Sequence, residues 1–118
     1  MRWFAVLGLM LMATPAVAAK DKMQFWNETS HEMTGVYLAP AGSNAFGPNQ
    51  ALNDPDKAVS ADERLDLVGV TAGKYDVKLI DTKGRTCVVR GIDVMATGKV
   101  AFAIAENQLT DCKSGDPR

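Results

Sequence analysis

Histidine and cysteine are scarce in this chain: one histidine and two cysteines among 118 residues. A zinc centre needs three or four His, Cys or carboxylate ligands, and this supply does not build one. A serine or cysteine nucleophile needs a base to take its proton, so a hydrolase of that type would have to use His31. No Gly-x-Ser-x-Gly elbow is present. Ser43, in Ala41-Gly42-Ser43-Asn44, belongs to a turn-rich loop. His31 itself lies between Ser30 and Glu32 in a polar turn, where an exposed turn histidine is the plain reading.

Other absences narrow the field further. Lys and Arg never cluster, whereas nucleic-acid binding needs several grouped cations to displace counterions. No nucleic-acid partner is expected. After the first nineteen residues no second long apolar run exists and no lipobox cysteine follows. Stable membrane insertion of the mature chain is therefore not expected. Internal repeats and long helical periodicities are also missing. No cofactor is implied.

What is present begins with residues 1–19. A short basic start, Met1-Arg2-Trp3-Phe4, precedes the uncharged run Ala5–Ala13. Thr14-Pro15 breaks that run, and Ala16-Val17-Ala18-Ala19 supplies small residues of the kind a signal peptidase reads. The run is too short to span a bilayer, which takes roughly 20 apolar residues. Residues 1–19 read as a secretory signal peptide, 20–112 as one domain and 113–118 as a flexible tail. Losing Arg2 with the leader moves the net charge from −1 to −2. A periplasmic or secreted location in a bacterial cell envelope follows from this reading.

Cys87 and Cys112 both fall in the mature part. An even count in an exported protein reads as a disulfide. A redox pair is the alternative, but redox dithiols usually sit as Cys-x-x-Cys, and here 24 residues intervene.

Strand signals dominate the mature sequence. Residues 23–27 and 33–39 alternate and flank the polar turn Glu28–His31, which predicts a first hairpin. Residues 65–68 form another strand. Tyr75-Asp76-Val77-Lys78-Leu79 alternates strictly, as a half-buried antiparallel strand requires. Asp81-Thr82-Lys83-Gly84 is a turn, and residues 86–90 resume the sheet. Gly91 marks a bulge before 92–94. Val100, Phe102 and Ile104 alternate with alanines, and 106–112 turn Cys112 back to the sheet. About seven strands at roughly ten-residue spacing predict an all-β, small antiparallel β-sandwich of immunoglobulin-like or transthyretin-like layout.

Residues 40–62 stand apart. Pro, Gly, Asn, Asp and Ser crowd there, each favouring turns. A loop of that length is a functional excursion or a segment pinned by Phe46 and Leu52. Ser60-Ala61-Asp62-Glu63 matches a capping box and allows one helical turn.

The order of these motifs resembles a family of small exported bacterial β-sandwich proteins of unknown function. The resemblance rests on Asn27-Glu28-Thr29, Tyr37-Leu38-Ala39-Pro40, Phe46-Gly47, Gly73-Lys74-Tyr75-Asp76-Val77-Lys78 and Asp81-Thr82-Lys83-Gly84, spread over most of 23–112. Where the pattern usually has Trp, this chain has Phe46. The resemblance implies a fold and a compartment and no site.

Candidate binding residues come from the aromatics. Trp26 alternates with Phe25, so one of the two points away from the core. Tyr37 and Phe46 lie on or near the long loop. An exposed aromatic patch there would bind a protein or sugar, and the competing reading is that all three are core. Asp54, Asp56 and Asp62 are the metal candidates, for calcium, but an EF-hand started at Asp54 puts Leu65 where a bidentate Glu belongs. Asn27-Glu28-Thr29 is a formal glycosylation sequon, with Thr29 better placed to bond the turn backbone. The leading expectation is a non-enzymatic exported domain that binds a protein partner in the cell envelope, as a periplasmic inhibitor or immunity-like protein does. A calcium- or carbohydrate-binding accessory module and a small hydrolase using His31 are the alternatives.

Overall fold

The computed structural model describes residues 23–114. The leader read at 1–19 lies outside the described residues, as do tail positions 115–118. Seven strands run through the described residues: β1 (Gln24–Glu28), β2 (Met33–Pro40), β3 (Arg64–Asp66), β4 (Gly73–Asp81), β5 (Thr86–Val94), β6 (Phe102–Ala105) and β7 (Cys112–Lys113). They form two sheets, in the orders β3-β1-β6 and β2-β4-β5-β7. The fold is the small all-β sandwich that the alternating pattern predicts. The seventh strand differs from expectation. Residues 86–90 and 92–94 are one strand, and Cys112–Lys113 adds the last, one residue beyond the expected tail boundary.

The core lies between the sheets. Phe25, Leu65, Phe102 and Ile104 from one sheet meet Met33, Val36, Leu38, Val77, Leu79, Val89 and Val94 from the other, with Ala51 and Val59 from the long loop. Phe25 and Phe102 stack with ring centroids 4.9 Å apart. Within regular stretches such as Val77–Leu79 the strands bury alternate side chains because successive residues point to opposite faces, and the alternation slips at the β2–β4 and β4–β5 irregularities.

One expectation fails. β1 and β2 are not a hairpin but lie in different sheets. Both edges of β1 are taken, by β3 antiparallel and by β6 parallel, which leaves none for β2. The chain between them is a corner, organised by the buried side chain of Asn27. Its Nδ2 donates to the carbonyls of His31 (2.8 Å), Val59 (3.1 Å) and Ser60 (3.1 Å). Its Oδ1 accepts from the Thr29 amide (3.1 Å) and hydroxyl (2.7 Å). Asn27 is fully buried, so the sequon is spent on structure, and Thr29 does bond the turn.

The 40–62 segment is pinned, though not by Leu52, which is 58% exposed. Its work is to close the free edge of β2. Met33 and Val59 exchange two backbone bonds of 2.9 and 2.8 Å. The Asn49 side chain imitates a strand: Oδ1 accepts from the Val36 amide (3.0 Å) and Nδ2 donates to the Thr34 carbonyl (2.9 Å). The Gly47 amide then donates to Leu38 (2.9 Å). An open strand edge invites pairing with other chains, and this loop covers most of one. A 3₁₀ turn, Gln50–Asn53, buries Gln50 and Ala51 beneath it. The Ser60–Glu63 motif makes half of a capping box, Glu63 Oε1 accepting from the Ser60 amide at 2.7 Å. It closes a turn leading into β3, not a helix.

The bulge expected at Gly91 is present. Tyr75 faces Ile92 and Val77 faces Val89, so Arg90 and Gly91 together oppose Asp76. Gly91 has φ +69°, a conformation that costs glycine little. Cys87 and Cys112 are direct partners across β5 and β7 and form the expected disulfide, with Cα atoms 4.0 Å apart.

Candidate functional site

The outer face of the four-stranded sheet carries two of the candidate residues. Register places Gly35, Tyr37 and Ala39 of β2 beside Ile80, Lys78 and Asp76 of β4. Tyr37 is half-buried because its ring lies over Gly35: a Cβ at Gly35 would fall 2.9 Å from Tyr37 Cε1 and 3.0 Å from Ile80 Cβ. The long loop then returns Phe46 to the same place. The Lys78 ammonium sits 4.9 Å from the Tyr37 ring centroid and 4.6 Å from that of Phe46. Such contacts contribute about 0.5–1 kcal/mol each at exposed sites, so the patch is held together without being sealed. Beyond Phe46, the groove lined by Gly47, Pro48, Val68 and Val70 runs to Val68, which is 64% exposed.

Trp26 is on the opposite side of the molecule. Phe25 is fully buried, and Trp26 points out of the three-stranded sheet. Arg64 lies 4.6 Å over its ring, and its Nε1 donates to Asp62 Oδ1 at 3.0 Å. The structure thus brings Tyr37 and Phe46 together and leaves Trp26 apart.

The remaining candidates are occupied locally. Asp54 Oδ2 accepts from the Asp56 amide at 2.8 Å, an Asx turn, while Asp62 serves Trp26. Among the described residues no group of three or more His, Cys, Asp or Glu is placed to hold a metal. His31 Nε2 lies 3.2 Å from Glu106 Oε2, and Ser30 Oγ donates to Glu106 Oε1 at 3.0 Å. Both side chains therefore bond one carboxylate rather than each other, and the nucleophile–base contact of a hydrolase is not made. The Ser30 amide bond, above all, holds the Glu106 pKa below its ordinary value. Ser43 Oγ accepts from the Ala45 amide at 3.0 Å and shapes the loop.

Two residues before Lys78 on β4, in register with Ala39, lies a buried carboxylate that sequence reading passed over. Asp76 accepts from the Gly42 amide (2.9 Å) and the Gly91 amide (3.0 Å), with Arg90 Nη1 at 3.5 Å. It ties the start of the long loop to the β5 bulge. The Gly42 bond, then the Gly91 bond, lowers its pKa from the ordinary 3.8, against the opposing effect of burial. A carboxylate with a depressed folded pKa stabilises the fold above its unfolded pKa and loses that contribution as pH falls through the folded value. Asp76→Asn is expected to cost about 2 kcal/mol at pH 7, the scale of charge-assisted hydrogen bonds. The gap to wild type should narrow as pH drops below 3.8. Denaturant unfolding across a pH series measures it, and a gap constant with pH would show that charge is not its source.

Lys78, Arg64 and Asp76 are the residues sequence reading did not single out. Strict alternation in β4 already sets Asp76 and Lys78 on the face opposite Val77 and Leu79. That Phe46 returns to meet Lys78 is a property of the loop's path. Comparison with protein families, curated proteins and solved structures returned no match.

Proposed function

We propose that this is a non-enzymatic exported domain that binds a protein partner in the cell envelope. The surface assigned to binding is the patch of Tyr37, Phe46 and Lys78 with the adjoining groove to Val68. The observation that carries this reading is the pairing of two half-buried aromatic rings around one ammonium on an outward sheet face. Aromatic side chains with a polar or charged neighbour are the usual anchors of protein interfaces. The Cys87–Cys112 bridge suits export, because disulfides persist in oxidising compartments. So does the leader-like stretch 1–19. In this reading neither Trp26 nor His31 takes part.

The test compares wild type with Tyr37→Ala/Phe46→Ala as immobilised baits in an envelope extract. A specific protein is expected to be retained by wild type and at least tenfold less by the variant. Thermal unfolding of the variant confirms that it remains folded. Equal retention by both baits, or none by either, would sink the reading.

A further inference from the structure

A second site lies at the end of the sandwich near the disulfide, away from the aromatic patch. A cavity of about 370 Å³ opens there between His31 of the β1–β2 corner, Asp81, Lys83 and Arg85 of the β4–β5 turn, and Ser114 after β7. Three of its five lining side chains are basic. The one carboxylate is already engaged: Asp81 Oδ1 accepts from the Lys83 amide (2.9 Å) and the Arg85 amide (3.0 Å). Its Oδ2 lies 3.3 Å from Arg85 Nε, without the alignment of a hydrogen bond. Arg85 Nε and Nη2 are buried and have no hydrogen-bond partner.

An unpaired buried donor is costly, about 1–3 kcal/mol and more when charged, and such a group calls for an explanation. Nε–H and the adjacent Nη2–H form one parallel edge of the guanidinium, the fork that matches two oxygens of a carboxylate. The Arg85 side chain remains 31% exposed, so this edge can turn toward the cavity. Lys83 and Arg85 against Asp81 leave one net positive charge among these three lining groups. A monoanionic group balances it.

We propose that this cavity binds a carboxylate group, held by the Arg85 fork and the Lys83 ammonium, with His31 and Ser114 forming its walls. The shared chemistry is the carboxylate, carried by a free small acid or by an acidic chain segment. The geometry of the aromatic patch plays no part, so either site can fail without the other.

Amide and guanidinium ¹⁵N spectra of the full chain test the assignment. The chain is titrated with sodium succinate, with a short Asp/Glu-rich peptide and with sodium phosphate. Each titration is run against sodium chloride at matched ionic strength and fixed pH. Saturable shifts are expected at His31, Lys83, Arg85 and Ser114, with binding at least tenfold weaker in Arg85→Lys. That variant keeps the charge and removes the fork. If Arg85→Lys loses its dispersed spectrum, Lys83→Gln at an exposed position tests the second cation instead, with weaker succinate and peptide binding expected and unchanged affinity counting against the site. Saturation by succinate assigns a free small acid, and saturation by the peptide alone assigns an acidic segment. Shifts no larger than those of chloride, unchanged affinity in the variant, or tighter binding of phosphate than of either carboxylate would overturn the proposal.

Discussion

Asn27→Leu is expected to destabilise the domain by about 4 kcal/mol, because it removes two N–H donors shared among three carbonyls and an oxygen that accepts two bonds, about four hydrogen bonds' worth at about 1 kcal/mol each. Leucine is close to asparagine in size, so the loss does not come from a cavity. It comes from the Thr29 amide, buried and left without an acceptor, and from carbonyls of two separated segments, His31 and Val59-Ser60, that lose their common donor. For a domain of this length each kcal/mol moves the thermal midpoint by about 4–8 °C, so a fall of roughly 16–32 °C is expected. Total stabilities are about 5–15 kcal/mol, which makes this a large fraction of the whole. Asn27→Asp sharpens the point. It keeps the acceptor for Thr29 but turns a second acceptor toward three carbonyl oxygens. It should be nearly as damaging at neutral pH and recover in part on acidification, when a protonated carboxyl can donate. Thermal unfolding of both variants measures this. A loss below about 1 kcal/mol for Asn27→Leu would mean that water replaces the side chain without cost. Because Asn27 grips Val59 and Ser60 at the base of the long loop, its loss should also loosen the loop that carries Phe46.

Removing the disulfide has the second largest expected effect. Cys87 and Cys112 are 25 positions apart, and closing a loop of that size stabilises by about 3 kcal/mol in the chain-entropy model. Cys87→Ser/Cys112→Ser, or reduction of the wild type, should lower the thermal midpoint by about 12–24 °C. The local consequence is more specific. β7 has two residues and pairs only through Thr86–Lys113 and Cys87–Cys112. Without the covalent link this strand should detach first, with loss of amide-exchange protection at 112–113 and of the cavity wall at Ser114. Mass spectrometry of the native protein should show a gain of two protons only after reduction. An unchanged midpoint on reduction would show that β7 is held by its surroundings rather than by the bridge.

Both effects concern corners where distant segments meet, and such places are hard to read in a sequence. The strand positions were legible. Tyr75, Val77 and Leu79 alternate with Asp76 and Lys78, and period two fixes which side chains face inward whatever the strand pairs with. Trp26 against Phe25 was legible for the same reason, as was the bulge at Gly91. The pairing of β1 was not. Backbone hydrogen bonds are the same for every sequence, so a short polar segment between two strands looks like a hairpin turn even when it is a crossing between sheets. The sequence places Asn27 at the end of a strand and in a formal sequon, yet its side-chain partners include Val59 and Ser60, more than thirty residues away. In the candidate site, Tyr37 and Phe46 were identified as aromatics near a loop. Their common partner Lys78 was not, because it comes from another strand.

By itself, the sequence determined the all-β class, the core-facing side chains of most strands, the Cys87–Cys112 pairing and the turn-rich nature of 40–62. These follow from local periodicity, from backbone preferences of single residues and from there being only two cysteines to pair. Only the tertiary structure decided that β1 lies between β3 and β6, and that the long loop seals the edge of β2. It also decided that Phe46 meets Tyr37 across Lys78, and that buried Arg85 donors without a hydrogen-bond partner belong to a residue lining a cavity beside the disulfide. Those arrangements depend on contacts between residues far apart in the chain, which are selected by burial and hydrogen-bond satisfaction in the whole molecule and leave no local pattern.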